Sequence, residues 1–92
     1  MNTVVRGAWF RKEDYDQIQA MCSDLQPTYD QWHSTAVKRV EELGHQGVKV
    51  EQVILSVSEI RDACDFLGRK VNSKDRRMMA IGVPLDENSA LH

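Results

Sequence analysis

The densest concentration of chemically competent side chains lies in the last third of the chain. Arg69, Lys70, Lys74, Arg76 and Arg77 place five of the twelve basic residues within nine positions. Only Asp75 stands against them. The stretch therefore carries +4, and with a net charge of −2 the remainder of the chain carries −6. Segregated charge of this kind suits contact with a phosphate backbone, or with an acidic protein surface such as one on a second copy. The bland alternative is a solvated charged face, which residue type alone does not exclude.

Other reactive residues are arranged less suggestively. Cys22, His33, His45 and Cys64 are donors a metal accepts, but no two are closer than the interval from Cys22 to His33. Structural zinc sites pair their ligands two to four residues apart, so no metal is expected. Cys64 falls within an apolar helical stripe, and Cys22 near a helix C-terminus, where the dipole disfavours a thiolate. Glu13, Asp14 and Asp16 open a helix, as solvated dipole partners do. Gly44 and Gly47 flank a turn that leads into a strand rather than a helix, so they form no phosphate loop. Trp9, Tyr29 and Trp32 suit a ligand pocket, though their spacing is more readily that of a core. No catalytic constellation and no cofactor site emerges.

The whole chain sets the frame for these residues. Ninety-two residues with 41% apolar and 28% charged side chains fit one small globular domain with a modest core. A slightly acidic balance gives no global basic field for nucleic acid. No apolar run approaches a membrane span, and the first residues lack the pattern of a signal peptide. With two isolated cysteines expected to be reduced, a cytoplasmic location is the default.

Hydrophobic periodicity then places the elements. Thr3 to Phe10 reads as a strand, with Gly7 weakening it or marking a bulge. Tyr15, Ile18, Met21, Cys22 and Leu25 recur at helical spacing, which predicts a helix over 12–24 stopped by Pro27. Thr28 and Gln31 fit a capping box before a longer helix carrying Tyr29, Trp32, Ala36, Val37, Val40 and Leu43, with Gly44 as its left-handed cap. Lys38 and Arg39 fall on the wet side of that helix. Val48 to Ser56 reads as a second strand whose apolar phase slips near Glu51 and Gln52, as a bulge would make it. Ser56 and Glu59 form another capping box, opening a helix that closes at Gly68. Asn72 or Ser73 starts a fourth, short helix that runs to about Ile81.

The expected fold is α+β, ordered β-α-α-β-α-α, with a two-stranded antiparallel sheet packed by helices. Antiparallel pairing follows from counting the first two helices as one pass out and one pass back. Residues 1–84 form the single domain, and 85–92 a frayed C-terminal tail. Two strands leave both sheet edges unpaired, a usual place for strand addition.

The succession Tyr15…Ile18, Thr28-Tyr29…Trp32, Gly47-Val48-Lys49-Val50, Glu59…Cys64…Gly68 and Arg76 resembles a family of small bacterial proteins of unknown function. The resemblance spans about 9–81 and implies a compact cytosolic domain, with no activity and no site residues attached. On the residues themselves, the expected role is a non-catalytic protein-interaction domain, self-associating as a homodimer or serving as a subunit of a complex. The alternative is a weak nucleic-acid-binding protein using the 69–77 basic cluster, whose helix, turn, helix order superficially resembles a helix-turn-helix.

Overall fold

A computed structural model describes residues 3–85. The described residues form an α+β mix of four helices and a two-stranded sheet. In order, it forms β1 (Thr3–Trp9), a 3-10 turn (Lys12–Asp14), α1 (Tyr15–Ala20), α2 (Tyr29–His45), β2 (Val48–Ile54), α3 (Val57–Leu67) and α4 (Ser73–Ile81).

The two strands run parallel, in register from Thr3 beside Val48 to Trp9 beside Ile54, which corrects the antiparallel expectation. The reason lies in α1. At six residues it rises only about 9 Å, too little to traverse a strand, so it merely turns the chain. The 17-residue α2 rises about 26 Å and alone makes the full return pass. One traversing helix between two strands leaves them parallel.

The first helix is also shorter than its periodicity suggested. After Ala20 the chain leaves the helix so that Cys22 pairs with Val71 in an isolated parallel bridge. The Ser23 amide donates to the Val71 carbonyl, and the Val71 amide to the Met21 carbonyl, each at 2.9 Å. Apolar spacing continues past the end of the helix because the extended segment buries Cys22 just as a longer helix would.

No bulge interrupts β2. Val48 and Val50 lie on the sheet face turned toward α2, whereas Val53 and Leu55 lie on the other face, toward the main core. The slip in apolar phase records a change of covering layer, not an extra residue. Gly7 is fully paired as well; a Cβ there would come within 3.3 Å of Val50 Cγ1. Gly44 stays inside α2, and the left-handed turn falls instead at Gly47, with φ +79°.

The caps follow the sequence more closely. Ser56 with Glu59, and Asn72 with Asp75, form reciprocal capping boxes. The expected Thr28–Gln31 box forms only by half: Thr28 accepts the Gln31 amide, and among the described residues the Gln31 side chain does not reach back to the Thr28 amide. Gly68 closes α3 in the left-handed region, at φ +67°.

Phe10, Tyr15, Ile18, Cys22, Leu55, Ile60, Ala63 and Val71 build the core, at the C-terminal ends of both strands. The α2 helix contributes no fully buried residue; its Tyr29 and Trp32 only lean on that core. Leu85 is partly buried against the core as well, while the rest of the expected tail, 86–92, lies outside the described residues.

The ladder has a parity that matters for function. Thr3 donates to Gly47 at one end and Leu55 donates to Trp9 at the other. With the observed register, Thr3, Val5, Gly7 and Trp9 turn their backbone groups toward β2. Val4, Arg6 and Ala8 turn theirs to the outer edge of β1. On β2, Val48, Val50, Gln52 and Ile54 face outward.

Candidate functional site

The basic cluster does not form a uniform positive surface. Arg69 grips Asp75 through Nη1 and Nη2, at 2.7 and 3.2 Å, and Nη1 also donates to the Lys70 carbonyl. Asp75 additionally accepts the Asn72 amide, so this carboxylate locks the turn between α3 and α4. Arg76 is buried and donates to Asp24 at 2.8 Å, and the other Asp24 oxygen accepts the Ser73 amide. These contacts staple the segment after α1 to the start of α4.

Burial alone would raise the Asp24 carboxyl. The Arg76 hydrogen bond, the Ser73 amide and the guanidinium charge outweigh it and hold the group below the ordinary aspartate value. Asp75 behaves alike: its burial is overcome by Arg69, the Asn72 amide and the nearby Arg76 charge. Burial raises the Cys22 thiol against the opposing pull of Arg76, which favours the protonated form of this packed cysteine. Lys70, Lys74 and Arg77 are exposed and make no salt bridge to any described residue.

A concavity lies along β1. Six consecutive residues, Val5 to Phe10, line it together with Val50. Side chains of both parities border a groove only where a strand is approached along its edge. One wall is α2, through Trp32, Ala36, Arg39, Val40 and Leu43; the other is the first half of α4, through Ser73, Arg76 and Arg77. The groove is open to solvent and has a volume of about 400 Å³. Its lining is apolar and aromatic, with guanidinium groups around it.

Local sequence explains the shape. Gly7 has no side chain, which opens the groove floor down to Val50. Trp9 meets Trp32 edge-on with ring centroids 5.0 Å apart, and Trp32 lies 5.0 Å from Phe10. His33 stacks on Tyr29 at 5.2 Å and presents its edge to Trp9. This packing fixes the ring orientations from behind, so the two tryptophans form a preorganised wall.

Of the five cations singled out by sequence, Arg76 and Arg77 reach the groove, whereas Arg69, Lys70 and Lys74 do not line it. Arg39 was missed. Its signal was its place on the helical face shared by Trp32, Ala36, Val40 and Leu43, which the charge of the neighbouring Lys38 obscured. Trp9 and Trp32 border the core and the groove together, so the choice between pocket and core was a false one. Among the described residues, no set of three or more His, Cys, Asp or Glu is gathered as metal ligands, and no helix is long and apolar enough to cross a membrane.

Compared with known proteins, the chain matches no family model, no curated protein and no solved structure.

Proposed function

We propose that this chain is a non-catalytic interaction domain that takes an extended, acidic segment of a protein partner into the β1 groove. The observation that carries the reading is the meeting, in one groove, of an aromatic wall, cationic rims and a strand edge that no described strand pairs. Backbone groups of Val4, Arg6 and Ala8 offer the main-chain hydrogen bonds of strand addition. Trp9 and Trp32 offer apolar contact area. Arg39 and Arg77, which make no salt bridge to a described residue, favour carboxylates over amines.

The two tryptophans of the chain both line the groove, so intrinsic fluorescence reports its occupancy directly. Titration with a synthetic seven-residue peptide alternating valine and glutamate should give a saturable change. A strand-addition contact of this size corresponds to a Kd of about 10 µM to 1 mM, or roughly −7 to −4 kcal/mol. The same peptide with lysine in place of glutamate should bind at least about tenfold more weakly, and Arg39→Glu/Arg77→Glu should reverse that preference. Equal response to both peptides, or none at millimolar concentration, contradicts the proposal.

A further inference from the structure

The opposite edge of the sheet, along β2, is separate from the groove. Val48, Val50, Gln52 and Ile54 turn their amides and carbonyls outward along β2, and among the described residues no strand pairs there. Ile54 is 54% exposed. Beside this edge, α2 presents Val40 and the side-chain-free Gly44, leaving a notch bordered by Gly47, Val48, Lys49 and Val50.

The geometry points to a second copy of this chain as the occupant, paired antiparallel along β2 about a two-fold axis at Val50. In an antiparallel pair, only positions whose backbone groups point outward can exchange hydrogen bonds. That parity admits two-fold axes at successive residues along β2, and charge then selects among them. An axis at Lys49 sets Lys49 against its own symmetry mate, and an axis at Glu51 sets two glutamates together. Like charges directly opposite are destabilising. An axis at Gln52 faces Glu51 with Val53.

Only the axis at Val50 sets Lys49 opposite Glu51 twice over, once on each side. There Val50 meets Val50, and Val48 meets Gln52, through their outward backbone groups. Glu51 already lies 3.8 Å from Arg6 across the β1–β2 pair, so the contact extends an existing line of alternating charge, Arg6 to Glu51 to the second copy's Lys49. The β1 edge cannot serve the same purpose, because every copy brings Arg39 and Arg77 to it. The result is a closed, isologous dimer with one continuous four-stranded sheet and both β1 grooves left at the outer edges.

The test is an exchange of charge between copies, read by sedimentation equilibrium. Wild-type protein should approach twice the 10.5 kDa chain mass as concentration rises from about 10 µM to about 1 mM. Lys49→Glu alone sets an introduced glutamate against Glu51 at both pairs, and Glu51→Lys alone sets Lys49 against an introduced lysine. Each single variant should weaken association roughly ten- to thirty-fold, since both cross-strand pairs turn from attraction to repulsion. An equimolar mixture of the two variants restores opposite charges at the cross-strand positions only in mixed pairs: glutamate meets glutamate or lysine meets lysine when like variants pair.

In a mixed dimer, the Lys49→Glu copy carries two acids and the Glu51→Lys copy two bases, so both cross-strand pairs join an acid to a base. The mixture should therefore recover the dimer as a heterodimer. Far-UV circular dichroism identical to wild type shows that each variant is folded, and both positions are exposed in the chain. Wild type that stays monomeric throughout overturns the inference. So does a dimer that survives either single change, or variants that fail to associate when mixed. Peptide capture at β1 is read separately by tryptophan fluorescence, so either surface can fail without the other.

Discussion

The buried guanidinium of Arg76 yields an asymmetric prediction. Its carboxylate partner Asp24 sits near the surface, with 43% of its side chain exposed against 9% for Arg76. Removing Asp24 therefore strands a cation that water cannot readily reach, whereas removing Arg76 leaves an anion that can rehydrate. An uncompensated buried charge costs about 3–5 kcal/mol, and the half-exposed setting of Asp24 reduces this to about 2–3 kcal/mol. Asp24→Ala also frees the Ser73 amide at the start of α4, which Asp24 accepts at 2.8 Å. Arg76→Met keeps most of the apolar stem and leaves Asp24 bonded to Ser73, for a cost of about 1 kcal/mol or less. Urea unfolding followed by tryptophan fluorescence measures both. Equal costs, or a larger loss for Arg76→Met, would refute the view that the pair's energy resides in burial of the arginine.

Two glycines provide opposite expectations. Gly44 is helical with open space where a Cβ would stand, so Gly44→Ala should stabilise by about 0.5–1 kcal/mol. Gly47 has φ +79°, and Gly47→Ala should cost about 1 kcal/mol; thermal unfolding of the two variants should shift in opposite directions, and shifts of the same sign contradict the placement of the turn. Because Asp24 and Asp75 are held below the ordinary aspartate value, their stabilisation is complete above the unfolded value of about 3.9. It is lost as pH falls through their lower folded values. Urea midpoints should therefore decline below about pH 4, and Asp75→Asn should flatten that decline; an unchanged pH slope in the variant counts against the assignment.

Two helix starts and one helix end were legible from neighbouring residues alone. Ser56 with Glu59 and Asn72 with Asp75 cap their helices through side chains three residues apart, a range any helix N-terminus can use. Gly68 likewise ends α3 by backbone freedom alone. Strand direction was not local. It turned on α1 ending at Ala20, and that ending depends on Val71, which lies far along the chain from Cys22. Pairing in the folded chain also divides the basic cluster in a way its sequence does not display. Asp24, far from Arg76 in sequence, neutralises one of its members, and Asp75 neutralises Arg69 as well as capping α4. Arg39 escaped notice because charge suggested solvent, although its helical phase placed it beside Trp32 and Val40.

The proposed function requires β1 to have an outer edge that receives a guest strand, and residue-resolved amide exchange by NMR reads that edge directly. In the free protein, the amides of Val5, Gly7 and Trp9 should exchange slowly while those of Val4, Arg6 and Ala8 exchange fast. Saturation with the valine–glutamate peptide should slow the second set without altering the first. If Val4, Arg6 and Ala8 are already protected in the free chain, or stay fast when the peptide is bound, the groove is not a strand-binding site.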